Sequence, residues 1–144
     1  MCSNILFVLA GFDEENLNST RIPVYVSHTP SGTSVQNMIH FAQLVNSRMF
    51  RRFDYGSASE NMKHYNESVP PRYDIGETAS KMPSVIAYTG GADWLADPRD
   101  ALDLMANLGN ALHSIVNIDS YNHLDHVWGI DANQRIFKHI IEDL

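Results

Sequence analysis

A chain of 144 residues, 44% hydrophobic, is the size of one ordinary domain and holds enough apolar material for a packed core. Its 10 Lys and Arg against 17 Asp and Glu leave a formal charge of −7, a sign that excludes nucleic acid and anionic membrane surfaces as general partners. The single cysteine, Cys2, excludes an intramolecular disulfide and a cysteine-based zinc site, and no stretch approaches the ~20 apolar residues of a membrane-spanning helix.

In chain order, Ile5 to Ala10 is apolar, but it is short and has no basic flank, so it does not read as a signal peptide. Asn18-Ser19-Thr20 and Asn66-Glu67-Ser68 are sequons, which makes Asn18 and Asn66 candidate N-glycosylation sites, although such triplets also arise by chance. Val24-Tyr25-Val26 is a short extended candidate, followed by a turn at Pro30-Ser31-Gly32. Ser34 then caps a helix whose apolar residues Val35, Met38, Ile39, Ala42 and Val45 fall at helical spacing. Phe50 to Tyr55 is aromatic and basic. Asn66 to Tyr73, with Pro70-Pro71, is largely non-helical, and Thr78 to Met82 reads as a polar connector.

The pattern becomes regular after residue 80. Ser84-Val85-Ile86-Ala87-Tyr88 is an apolar run of the kind buried in a parallel sheet. A loop, Thr89 to Leu95, leads to a helix with Asp97 at its cap, Pro98 in its first position and Asp100 at the favourable end of its dipole. Leu102, Met105, Ala106 and Leu108 give that helix an apolar face, and Gly109 stops it. Ser114 to Ile118 is a second strand, and Asp119 to His126 a second loop. A last helix from about Asp131 to Leu144 carries Ile136, Phe137, Ile140, Ile141 and Leu144 on one side. Strand, helix, strand, helix is the unit of an open α/β sheet, with a right-handed crossover expected.

Sites in such sheets form at the carboxyl ends of the strands. Of the two loops that leave those ends, one carries Asp93 and the other His123, so neighbouring parallel strands would present both on one rim. α/β-Hydrolases place the acid and base of a catalytic triad this way, in the chain order Ser, Asp, His. Among the competing carboxylates, Asp97 caps a helix, Asp100 lies inside that helix, and Asp119 is close in sequence to His123. Asp93 follows Gly90-Gly91 in the open loop, with an ordinary loop aspartate as the alternative. His123-Leu124-Asp125-His126 also reads as a metal-site spacing, but without a third ligand. His28, His40, His64, His113 and His139 show no convergent pattern.

A nucleophile is missing. Gly32-Thr33-Ser34-Val35-Gln36 approximates Gly-x-Ser-x-Gly, yet Gln36 stands at the second glycine and no apolar strand runs into it, so Ser34 reads as a helix cap. Cys2 is terminal and has no base beside it.

The order of these pieces resembles the acid lipases, the gastric and lysosomal lipase family of α/β-hydrolases, over nearly the whole chain. Cys2-Ser3-Asn4, Gly11-Phe12, His28 through Met38, Phe53-Asp54-Tyr55-Gly56 and His64-Tyr65-Asn66 are similar to the family's cap region. Gly90 through Pro98 resembles its acid loop, and Tyr121-Asn122-His123-Leu124-Asp125 its histidine loop. The resemblance implies an α/β fold: part of a mostly helical cap or lid in residues 1–80, then the last two parallel strands and helices of the core in 81–144. It implies Asp93 as triad acid, His123 as triad base and neutral lipid esters, triacylglycerols or cholesteryl esters, as substrates, with no cofactor. It further implies secreted or lysosomal, glycosylated proteins active at acidic pH, where the 7 histidines would offset much of the negative charge.

The family's nucleophile elbow and oxyanion loop lie upstream of anything matched here. A cysteine often paired with the one at Cys2 is replaced by Ala10, and Ser31 stands at a usual Ala. The expectation is therefore a piece of a lipase, inactive alone and of low stability, since two strands do not make an independent sheet. The alternative is a non-catalytic pseudo-hydrolase that binds lipid or a partner, with Phe41, Phe50, Phe53, Tyr55, Tyr65 and Tyr73 lining an apolar groove, or else simply forming core.

Overall fold

Two apolar runs, a capped helix between them and a chain of short helices account for the architecture. The computed structural model describes residues 15–29 and 31–142. Its elements are α1 (Ile22–His28), α2 (Val35–Ser47), α3 (Ala58–Tyr65), α4 (Ile75–Ala79), β1 (Val85–Gly90), α5 (Pro98–Leu108), β2 (Leu112–Ile118), α6 (Asp125–Trp128) and α7 (Lys138–Glu142). The described residues of Met1–His28 and Ile75–Leu144 make one compact unit, and those of Thr29–Asp74 another. The expectations for Cys2, Ile5 to Ala10, Gly11-Phe12, Pro30 and Leu144 fall outside the described residues.

In the first unit β1 and β2 pair in parallel, with Ile86 opposite Ser114 and Gly90 opposite Ile118. Successive side chains alternate between the faces of a strand. Thr89, Ile115 and Asn117 lie on the face towards α5, where with Pro98, Ala101, Leu102 and Met105 they line a cleft of about 150 Å³. Ile118 is buried on the other face in a core with Tyr121 and Ile136, against which Tyr88 packs. Helical segments thus meet both faces of the sheet. Two parallel strands with helical segments on both faces make a mixed α/β arrangement.

The helix α5 is built as its sequence foretells. Asp97 accepts the Arg99 N–H at 2.8 Å, Pro98 sits at the start where its missing N–H is not needed, and Gly109 ends the helix at φ 53°. Its apolar face is narrower than expected. Met105 is buried but Leu102 is 61% exposed.

Three expectations are corrected. Val24 to Val26 is helical, within α1, because a local start signal outweighs β-branched propensity. The Asn18 side chain caps the 3₁₀ turn Ser19–Arg21 by accepting the Thr20 N–H, the turn runs straight into α1, and Pro23 falls in the first turn, where proline is tolerated. The Tyr25 ring then stacks on Trp128 at 4.6 Å. Thr78 and Ala79 belong to α4 and not to a connector, since burial of Ala79 gives this short helix the tertiary anchor that propensity alone lacks. The last helix begins with a π-helical segment, Asn133–Phe137, before α7. A π turn adds a residue per hydrogen-bonded ring and rotates the next turns of the helix about its axis. Ile136 is therefore buried while Phe137, Ile140 and Ile141 are 38%, 37% and 71% exposed.

In the second unit Ser34 caps α2 by accepting the Asn37 N–H at 3.0 Å, and Ser57 caps α3 through Glu60. Arg48 and Asn66 end these helices in the left-handed region. The face of α2 turned inward is polar. His40 donates to the Arg51 carbonyl at 2.8 Å, and Gln43 both donates to and accepts from the Asp54 backbone. Val35, Met38, Ile39, Ala42 and Val45, the apolar residues at helical spacing, are exposed. The six aromatics expected in a groove or core divide. Phe53, Tyr55 and Tyr65 pack together with His64, whereas Phe41, Phe50 and Tyr73 are exposed. Buried Asn61 holds the Tyr55 N–H and reaches Asp54 and Ser68. The Gly56 N–H and Asn61, with Arg51 nearby, keep the Asp54 carboxyl below its ordinary range.

Candidate active site

The two loops that leave the carboxyl ends of β1 and β2 lie backbone against backbone, and glycine makes this possible. A Cβ on Gly90 would sit 2.3 Å from the Tyr121 carbonyl oxygen, and one on Gly91 would sit 2.7 Å from that of Asp119. With the bare glycines, the Gly91 N–H donates to Ile118 and the Ala92 N–H to Tyr121, at 3.1 and 3.0 Å.

This contact brings Asp93 and His123 together. His123 Nδ1 donates to Asp93 Oδ2 at 3.0 Å. The other carboxylate oxygen, Oδ1, accepts the Leu95 and Ala96 N–H groups, each at 2.8 Å. Asp93 is buried, with its side chain 5% exposed, while that of His123 is 44% exposed. A proton fixed on Nδ1 leaves the lone pair on Nε2, the arrangement of an oriented general base. The rival carboxylates are engaged elsewhere: Asp97 at its cap, Asp119 as acceptor of the Asn117 amide, Asp100 in the first turn of α5.

Three features around the histidine loop escape simple sequence reasoning. Tyr121 has no exposed surface and donates its hydroxyl to Asp131 Oδ1 at 2.6 Å. Burial, then that hydrogen bond and the Asp131 charge, push the Tyr121 hydroxyl up to about 12. Burial works against ionisation of Asp131, but the Tyr121 hydroxyl, Asn16 and Arg135 outweigh it, and its carboxyl lies below the ordinary value. Asn122 and Asp125 are both buried and exchange hydrogen bonds across His123. The Asn-x-x-Asp spacing, akin to a capping box, is the signal that could have exposed this last pair.

His126 lies on α6 with its ring edge-on to Tyr121 at 5.5 Å, and its buried Nε2 has no hydrogen-bond partner among the described residues. Among those residues no group of three or more His, Cys, Asp or Glu is placed to hold a metal ion, and no helix is long and apolar enough to cross a membrane. Ser34 enters α2 from irregular chain after α1, not from a strand. Asn66 is exposed at the end of α3, whereas Asn18 Oδ1 accepts both the N–H and the hydroxyl of Thr20.

Parallel strands that deliver an aspartate and a histidine from adjacent carboxyl ends define a member of the α/β-hydrolase class. Comparison with known proteins narrows the class. No family model matches the chain. It is 48% identical over 141 residues to gastric triacylglycerol lipase of Rattus norvegicus, 45% to gastric triacylglycerol lipase of Homo sapiens and 43% to human lysosomal acid lipase/cholesteryl ester hydrolase. Each match covers 98% of this chain but only 34–35% of the relative, so the chain spans about a third of the length of the curated relatives it matches. The chain belongs to the gastric and lysosomal acid lipase family, and corresponds to a C-terminal portion of it.

Proposed function

We propose that the chain supplies the acid and the base of a lipase triad, Asp93 and His123, for hydrolysis of carboxylic esters of neutral lipids, triacylglycerols or cholesteryl esters. The observation that carries the reading is the 3.0 Å contact from His123 Nδ1 to an Asp93 whose other oxygen is held by two backbone amides. In such a triad His123 Nε2 removes the proton of a serine as its oxygen attacks the ester carbonyl, then returns that proton to the leaving alcohol. Asp93 keeps the Nδ1 tautomer and stabilises the imidazolium. Water repeats the sequence on the acyl-serine. The names of the relatives support these substrate classes.

In this reading residues 1–80 are part of the cap and 81–144 the end of the core. The described residues of Thr29–Asp74 form a compact unit within that first stretch. A secreted or lysosomal setting, with glycans on Asn18 and Asn66, is implied by the same resemblance. No Gly-x-Ser-x-Gly string occurs in the 144 residues, and in this reading the chain alone does not turn over esters. A serine-directed fluorophosphonate probe is expected to leave the purified chain unlabelled, with no hydrolysis of tributyrin above buffer. Labelling of any serine, followed by turnover, overturns the reading.

A second, non-catalytic reading is a lipid- or partner-binding pseudo-hydrolase. It is supported by the exposure of Val35, Phe41 and Val45 on α2, at 76%, 60% and 74%. Saturable fatty-acid binding by the purified chain would favour it.

A further inference from the structure

We infer that Asn122 and Asp125 are positioning residues for His123, forming a closed hydrogen-bonded clamp that holds the imidazole where its Nδ1 meets Asp93. The inference rests on the reading of Asp93 and His123 as an acid–base pair. Packing does not hold the ring, because the His123 side chain is 44% exposed and sits in irregular chain between β2 and the four residues of α6. An exposed loop side chain changes rotamer readily. What is fixed is the backbone on either side of it.

The Asn122 N–H donates to Asp125 Oδ2 at 2.7 Å. Asn122 Oδ1 in return accepts the Leu124 N–H at 2.8 Å and the Asp125 N–H at 3.2 Å. The circuit from Asn122 to Asp125 and back encloses His123, and these two residues are 3% and 2% exposed. The two side chains accept the Asn122, Leu124 and Asp125 amides across the loop. One residue earlier the Tyr121 carbonyl accepts the Ala92 N–H from the loop of Asp93, at 3.0 Å. The clamp is thereby referenced to the acid it serves. Buried donors left without acceptors are costly, so removing the Asn122 oxygen should open the loop locally. The two residues touch no reacting atom and act through His123.

The tautomer of His123 reads this directly. The 144-residue chain is prepared with ¹⁵N-labelled histidine, and His123 is assigned through His123→Gln. Spectra are taken in solution, or by solid-state NMR on the sedimented chain where it associates. The chain is expected to carry the His123 proton on Nδ1, against the Nε2–H form that a free imidazole side chain favours. Asn122→Ala is expected to lower the Nδ1–H to Nε2–H ratio by about tenfold, the scale of one buried hydrogen bond. Asn122→Ser, with a shorter-stemmed acceptor, is expected to fall between, and it serves where the alanine variant does not fold. A folded Asn122 variant with an unchanged ratio overturns the inference. Asp93→Asn tests the underlying pair separately. Its amide oxygen stays with the Leu95 and Ala96 N–H groups, its NH₂ turns to Nδ1, and the tautomer inverts whatever Asn122 does. A ratio that Asp93→Asn leaves unaltered sinks the acid–base reading itself.

Discussion

Tyr121 shows how one side chain couples the core to the site. Its ring is at the centre of the packed cluster, its hydroxyl is bonded to Asp131, and its carbonyl holds the loop of Asp93. Because the Tyr121 hydroxyl is raised from 10.0 to about 12, the stability it contributes is complete below pH 10 and is lost as pH rises towards 12. Asp131 is lowered from 3.8, so its contribution is present above that value and is lost as pH falls below it. Tyr121→Phe is expected to cost about 1–3 kcal/mol at neutral pH by removing the donor from Asp131. It should also abolish the Tyr121 part of the alkaline loss and shrink the Asp131 part of the acid loss. Urea titrations of both proteins across the acid and alkaline ranges check this. Parallel alkaline loss in wild type and variant would contradict it. Little of this is legible in the sequence, since a tyrosine and an aspartate ten residues apart across a loop and a helix start carry no periodic signal. Asp93 and His123 are legible because each follows a strand, and the strands' apolar runs stand out.

Elements read well where chemistry is local and poorly where neighbours decide. The Asp97-Pro98 start and Gly109 stop of α5 are written in side-chain caps and backbone freedom, and they hold. The helix α1 and the π-helical segment escape the residue pattern for different reasons. A valine- and tyrosine-rich run is extended only if a sheet receives it. A π turn is a change of hydrogen-bond ring that the residue pattern does not encode. The glycine pair after β1 gives the sharpest test at this scale. Gly90→Ala places a methyl group 2.3 Å from the Tyr121 carbonyl and 3.0 Å from His126 Cε1, neither a flexible chain end. It is expected to cost about 1–3 kcal/mol or more and to displace the loop of Asp93. Gly32→Ala meets nothing within 4 Å and should stay within about 0.5 kcal/mol. Chemical denaturation of the two variants makes the comparison. Equal, small effects would mean that the loops are not pressed together.

For the whole molecule, the sheet has two strands among the described residues, and apolar side chains remain exposed on both units, among them Leu102 and Ile141 in one and Val35 and Val45 in the other. Two parallel strands seldom suffice for independent stability, and exposed apolar surface of this kind marks contact with something further. The relatives the chain matches are about three times as long. Composition and charge point away from nucleic acid but cannot indicate a lipase. The two loop motifs can, because their residues are tied to chemistry. The most direct measurement exchanges the matching third of rat gastric triacylglycerol lipase for this chain and monitors tributyrin hydrolysis. The chimera is expected to be active, and Asp93→Ala or His123→Ala within it to reduce kcat by about 10⁴-fold or more. A folded, active chimera indifferent to either substitution would contradict the assignment of this pair as the triad's acid and base.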